Sequence, residues 1–506
     1  MKKKNQLADL RRLIALPPNQ VRRFISEYLY EKPPTLTKML FKLLHTEKLT
    51  RQKRENIVNL TKFVLDQYSP RPIPEWLLNE LKRLLITDRL SKVDKAIIFS
   101  AFNPEELLEK LDGFDEFVNE FTEVRESFSE YIIEQLSENP SILNEIFQII
   151  IEKSNSESLF QMMLDLSGAH EPQILKFLEL FTYHPDESVA YQALKAIESS
   201  ESQEAVKRLY SISRLNRRFR EEAEDAYIYL MHQLPMPSEE EITLERDESE
   251  EYLDIWVSLI DGNGAMSTFI GRRFGRNKYF ASSVLMKTDA GVKEVLLMSN
   301  MPREGYRELK EAYFSDLSFY PIDERYLKRL IKHFLKIGEK AGSTVPVELI
   351  ILKNILNWDD LEPTEYIYEV AEARPIKYYP RDMFQFPFET WWMHEEVVYD
   401  ILRPYRDKKV YELPDRVFYR IVDLFIDYAR REIVPKCELC ADIIRNSKYN
   451  KRTRQTALYL TIRNEILNTN ITNYYTSHFL SYGIVATIEN TLHNLSLGIE
   501  SPRDIE

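Results

Sequence analysis

Glycine is scarce in this chain, 12 of 506 residues, and five of those (Gly262, Gly264, Gly271, Gly275 and Gly291) fall in one short window. Glycine supplies the positive-φ turns of hairpins and weakens helix interiors. Its scarcity excludes an all-β architecture and predicts helices joined by Pro-, Asn- and Asp-containing turns. β-structure is expected only around the glycine-bearing window. Cysteine is rarer still: Cys437 and Cys440 are the only two, which excludes a disulfide-stapled secreted scaffold. No run approaches the roughly 20 apolar residues of a membrane span. The basic start MKKKNQLADLRRLIAL is not a signal peptide by this reading, because Asp9, Arg11 and Arg12 interrupt the apolar stretch and Pro17-Pro18 ends it. A cytoplasmic location is therefore expected.

The composition suits a soluble globular protein with substantial cores, with 44% hydrophobic and 29% charged residues. At roughly 150 residues per domain the length predicts about three units. A formal charge of −13 repels phosphate backbones and argues against a general nucleic-acid or anionic-membrane binder, while leaving room for a local basic face. The 29 Tyr and 26 Phe supply side chains that bury area and keep a polar tip wet.

Residues 1–237 read as successive amphipathic helices. Leu7, Leu10, Leu13 and Ile14 keep helical spacing, as do Leu107, Leu108 and Leu111 after Asn103-Pro104, and Ile142, Ile146, Ile149 and Ile150 after Asn139-Pro140. The clearest stretch is 184–234. His184-Pro185-Asp186 opens a helix whose face is Val189, Ala190, Ala193, Leu194 and Ile197. A second helix carries Ala205, Leu209 and Ile212, and a third starts at Arg220-Glu221-Glu222-Ala223. Ala190 and Ala193 recur as Ala223 and Ala226, an offset of 33 (223 − 190), and recurrence at a fixed period marks stacked helical hairpins.

On these residues (the Pro185-Asp186 start, Val189-Ala190, Ala193-Leu194, and Arg220 with Ala223 one unit later) the chain resembles the HEAT-like repeats of the phycobilisome-lyase type. The resemblance covers about 50 residues best. It implies a mostly α fold, a helical repeat array acting as a scaffold, and it carries no active site with it.

Residues 238–251 (SEEEITLERDESEE) form an acidic linker. Beyond it the period changes to two. Strands are expected at Tyr252–Ile260, Met266–Phe274, Lys278–Met286 and Val292–Met298, turned by Asp261-Gly262-Asn263-Gly264 and Asp289-Ala290-Gly291. The prediction is a four-stranded antiparallel meander, with helices at Arg303–Phe314, Asp323–Glu339 and Val347–Leu356 completing a small α+β domain over 252–362. Its order of turns resembles a segment attached to HEAT-like arrays in bacterial proteins. From 363 to 506 an aromatic, Pro-broken connection leads to a helical C-terminal region, with helices expected at Asp415–Glu432, Lys436–Asn446, Lys451–Leu467 and Thr476–Leu495, and Asp415 as a capping carboxylate.

Several residues carry chemistry in principle. Arg272, Arg273, Arg276 and Lys278 crowd one hairpin, where they would bind phosphate or make a solvated tip that answers the acidic linker. Cys437-Glu438-Leu439-Cys440 follows Pro435 at an expected helix start. A single CxxC offers too few ligands for zinc, and no βαβ context for a redox pair surrounds it, so two thiols on a packed helix is the reading adopted. The rings at 378–392, with Trp391 and Trp392, read either as a docking surface or as glue between domains. Asp261 and Asn263 make a turn, not an EF-hand, and His394-Glu395-Glu396 lacks the second histidine of a zinc-protease helix. No metal or other cofactor is expected. These readings converge on a non-catalytic scaffold or adaptor binding a protein partner; the alternative is a nucleic-acid-binding accessory protein using the 272–278 hairpin.

Overall fold

Helices dominate, and one small antiparallel sheet interrupts them where the glycines cluster. The structure, a computed structural model, describes residues 33–46, 51–68, 73–87, 89–90, 92–99, 101–102, 143–153, 156–234, 253–274, 278–314, 319–368, 375–379, 390–448 and 453–505. The helices expected around Leu7–Ile14 and Leu107–Leu111, the acidic segment 238–251, Gly275 and Arg276 lie outside the described residues. The chain forms two compact units, Met1–Arg208 and Leu209–Glu506.

In the first unit the described helices are α1 (Pro33–Thr46), α2 (Arg51–Tyr68), α3 (Glu75–Leu85), α4 (Lys92–Phe99), α5 (Leu143–Lys153), α6 (Ser156–Asp165), α7 (Pro172–Phe181), α8 (Glu187–Glu198) and the start of α9 (Gln203–Leu215). Asp186 caps α8, its carboxylate accepting the Ser188 backbone N–H at 3.0 Å. That fixes the helix start and buries the whole expected face: Val189, Ala190, Ala193, Leu194 and Ile197. Helix α8 packs on both α7 and α6. At one end Ser199 Oγ lies 2.7 Å from Ser167 Oγ and accepts the Gly168 N–H at 3.0 Å. A buried ion pair links α7 to α9: Glu179 and Arg208, both fully buried, meet at 3.1 Å, and Glu204 adds a second carboxylate 3.0 Å from Arg208 Nε.

The second unit begins with the rest of α9 and α10 (Arg220–Gln233), then turns to the sheet. Strands β1 (Leu253–Ser258), β2 (Ala265–Phe274), β3 (Lys278–Lys287) and β4 (Gly291–Met301) make the expected meander. A fifth strand, β5 (Phe319–Pro321), pairs antiparallel with Trp256–Ser258, giving the order β4-β3-β2-β1-β5. The four-stranded expectation is thereby corrected. Three residues are too few for alternation to reveal a strand.

Helix α11 (Arg303–Tyr313) covers one face of the sheet, its Tyr306 and Tyr313 rings 5.8 and 5.6 Å from Phe269. Helices α12 (Glu324–Ala341) and α13 (Val347–Leu356) also pack on the sheet, chiefly at β4. Asp323 caps α12, accepting the Tyr326 N–H at 2.7 Å, and Gly342, at φ 76°, ends it in the left-handed conformation with Ser343 N–H reaching back to the Gly338 carbonyl at 2.9 Å. At Gly291 (φ +80°) the sheet and α12 meet backbone to backbone: a Cβ there would stand 2.5 Å from the Phe334 carbonyl oxygen and the Gly338 nitrogen.

The C-terminal helices α14 (Glu396–Leu402), α15 (Asp415–Tyr428), α16 (Val434–Asn446), α17 (Thr453–Asn468) and α18 (His478–Ser496) belong to the same unit as the sheet. Pro414, not Asp415, is the N-cap of α15, so Asp415 occupies the first turn without a capping bond. Its charge still complements the helix dipole. Between α15 and α16 the expected break is a π-turn, Ala429–Ile433, closed by Val434 N–H to the Ala429 carbonyl. Proline lacks an N–H and crowds the preceding turn. The wider turn accommodates Pro435 without ending the helix.

Candidate functional site

The residues singled out in the sequence divide into committed and exposed ones. Arg272 is half-buried; its Nη1 donates to the Ile355 carbonyl at 2.9 Å and its guanidinium lies 4.9 Å from the Phe274 ring. It therefore satisfies a carbonyl at the end of α13. Arg273 and Lys278 are exposed, and Arg276 is outside the described residues. The expected four-cation cluster reduces to two described exposed cations. Trp391 is 1% exposed, with Tyr459 and Phe479 rings 6.1 and 6.2 Å away. Trp391 is thus a core residue of the C-terminal region, packed against rings from α17 and α18 and not open to a partner. Trp392 is half-buried, its ring 4.7 Å from His394.

Helix α16 gathers most of the remaining chemistry, in the interior. Lys436 Nζ donates to the Gly262 carbonyl at 2.6 Å, and Gly262 N–H donates to Thr390 Oγ1 at 2.7 Å, so the DGNG turn is pinned from two sides. Burial holds the Lys436 ammonium below the usual lysine range. Both thiols are fully buried; burial pushes Cys437 well up, and Cys440 up to about 12. The helix start expected at Pro435 is absent, since α16 continues the π-turn. Lys436 favours both thiolates and Arg463 that of Cys437, but burial outweighs them.

The same helix presents Asp442, which accepts the Tyr326 hydroxyl at 2.6 Å and the Tyr366 hydroxyl at 3.0 Å. On α12, His333 Nδ1 accepts the Tyr366 N–H at 3.2 Å, and Nε2 lies 2.8 Å from Tyr368 Oη. Nδ1 as acceptor places the proton of the neutral ring on Nε2. Burial holds His333 below the ordinary histidine value, in keeping with a neutral ring. Carboxylate and imidazole thus tie the extended segment at Tyr366–Tyr368 to α12 and α16. No group of three or more His, Cys, Asp or Glu able to hold a metal ion occurs among the described residues, and no described helix is long and apolar enough to cross a membrane.

Two open features stand apart from this interior. The first is a ladder of surface rings: Tyr419 (48% exposed), Phe418, Tyr474 and Tyr475 (68% exposed), with successive centroids 5.9, 6.4 and 5.9 Å apart. Arg416 and Arg420 are exposed on the same helix, α15. The second is a cavity of about 30 Å³ whose lining includes Arg214, Arg217 and Arg220. Sequence reasoning passed over both. Arg220 read only as a helix start and a residue of the repeat resemblance, and the four rings fall in two segments 55 positions apart (474 − 419) whose juxtaposition no spacing rule gives. The Tyr474-Tyr475 doublet, flanked by the Asn470–Asn473 turn, was the one available signal, because adjacent residues on a short turn cannot both face inward.

Set beside known proteins, the chain matches no family model, no curated protein and no solved structure.

Proposed function

We propose that this chain is a non-catalytic, HEAT-like helical-repeat scaffold or adaptor that works in the cytoplasm and binds a protein partner. The exposed ring ladder carries the reading. Tyr and Arg dominate the energetics of protein interfaces, because large rings bury area at small entropic cost. A surface that leaves Tyr419 and Tyr475 wet beside Arg416 and Arg420 has the composition of such a contact. The interior supports the same reading: Cys437, Cys440, His333 and Asp442 are engaged in packing or in hydrogen bonds between elements. The repeat character is supported by α8 packing on α6 as well as α7, and by the shared burial of Ala190, Ala193, Ala223 and Ala226 at their offset of 33 (223 − 190).

The nucleic-acid alternative retains Arg273 and Lys278 but loses Arg272 to the Ile355 carbonyl. One fewer cation facing solvent means fewer phosphates neutralised.

The test is affinity capture from the source cell with the intact chain and with Tyr419→Ala/Tyr475→Ala. Both rings are exposed, so folding is expected to be retained. At about 2 kcal/mol or more per interface hot spot, the double variant should lose a specific partner by well over tenfold. Equal capture by the two proteins, or capture of nothing specific by either, contradicts the proposal.

A further inference from the structure

The arginine-lined cavity is built from four elements of the second unit, α9, α10, β4 and α12, and its charge is not balanced. Arg214 ends α9, Arg217 lies in the connection, and Arg220 opens α10; Glu339 comes from the last turn of α12, with Ser343 and Thr344 just beyond it. Of the charged residues lining the cavity, three are guanidiniums and one is a carboxylate. Such a local excess of positive charge, in a chain whose formal charge is −13, calls for a reason.

Each guanidinium is positioned by a partner that leaves most of its donors over. The connection is fixed by Phe219, 3% exposed, and by Asn216 Oδ1, which accepts the Arg218 N–H at 3.0 Å. Arg214 pairs with Glu224 at 3.2 Å and lies 5.2 Å from the Tyr210 ring. Arg217 Nη1 donates to the Gly342 carbonyl at 3.3 Å. Arg220 Nη2 meets Glu339 at 2.9 Å, while its Nε–H is buried with no partner. A guanidinium has five N–H donors, and a buried donor without an acceptor costs free energy. Glu339 cannot supply the deficit. Lys336, at 2.7 Å, is the first cause that holds this carboxylate below the usual range, and Arg220 is a further one.

We infer that this cavity binds a phosphate monoester or orthophosphate group. Planar guanidinium forks match tetrahedral oxyanions bidentately, and the hydroxyl-bearing residues Ser343 and Thr344 are also part of the lining. At about 30 Å³ the cavity exceeds the ~10–15 Å³ that one ordered water needs. It suits a small oxyanion at its mouth and is far too small for a nucleoside. The inference does not rest on the ring ladder: phosphate binding stands or falls independently of partner capture there.

The experiment is thermal unfolding of the full chain titrated with orthophosphate, against sodium chloride at the same ionic strength. A saturable rise in Tm with phosphate alone is expected, because a ligand that binds only the folded state stabilises it. Arg217→Ala/Arg220→Ala should weaken the apparent affinity at least tenfold, and Arg273→Ala should leave it unchanged. Should the double variant fail to fold, exposed Arg217 alone changed to Ala and the charge-preserving Arg220→Lys provide the comparison, each weakening phosphate binding. A phosphoserine peptide distinguishes the sources: tighter binding than orthophosphate identifies a phosphorylated residue of a protein, and equal or weaker binding identifies the free ion. No saturable shift, or the same affinity in the substituted proteins, overturns the inference.

Discussion

Glu179→Ala is expected to destabilise the first unit by about 3 kcal/mol, the low end of the cost of breaking a buried ion pair, because Glu204 stays beside Arg208. Glu179 and Arg208 are both fully buried at 3.1 Å. Removing the carboxylate strips Arg208 of its closest buried partner and leaves Glu204, 14% exposed, as the remaining counter-charge at 3.0 Å. A denaturant titration measures the effect as a lowered midpoint at unchanged slope. The converse substitution makes the argument sharper. Replacing both residues together, Glu179→Leu with Arg208→Met, should recover part of the loss, because neither fully buried charge is then held out of water and Glu204 keeps Lys207 at 3.7 Å. If Glu179→Ala costs less than about 1 kcal/mol, as an exposed pair would, the pair is not buried as described.

Gly291→Ala should be nearly as damaging, for a different reason. The position has φ +80°, which costs an L-residue about 1–2 kcal/mol. The new methyl would also stand 2.5 Å from backbone atoms of Phe334 and Gly338, and backbone cannot swing aside as a side-chain tip can. Overpacking of this kind adds about 1–3 kcal/mol, so a total near 3 kcal/mol or more is expected in thermal or denaturant unfolding. Gly168→Ala is the matched control. It has φ +77° with nothing within 4 Å of the added carbon, so only the conformational part should appear. Equal losses at the two sites would show that α12 does not press on β4.

Much of this architecture was legible in the sequence. The helix over Glu187–Glu198 follows from Asp186 and the spacing of Val189 to Ile197, which are local signals. The four long strands follow from alternation and from Gly264 and Gly291, where the turns need positive φ. What stayed hidden depends on contacts remote in sequence. Strand β5 exists because Trp256–Ser258 offers it an edge, not because Phe319–Pro321 has strand character of its own. Arg272 looked free because nothing in a hairpin of cations announces the Ile355 carbonyl 83 positions away. Trp391 read either as docking surface or as glue because exposure of an aromatic cannot be read from composition; Tyr459 and Phe479 close over it. The arginine cavity was missed for the same reason, since Arg220 and Glu339 meet only in the fold.

The central claim is that the chemistry-bearing interior of this chain holds elements together and does not react. The most direct test is alkylation of Cys437 and Cys440 in the native protein as pH is raised. An exposed thiol, with pKa near 8.5, would be largely thiolate and quickly modified at about pH 9. Burial pushes Cys440 up to about 12 and Cys437 well above the usual thiol range, so both should remain protonated and unmodified there until the chain unfolds. The linkage has a definite sign: raised folded-state values contribute stability in full below the ordinary thiol value and lose it as pH climbs toward 12. Modification should therefore track the unfolding transition. Rapid stoichiometric labelling of native protein near neutral pH, or a stoichiometric metal ion bound to these thiols, would contradict the account.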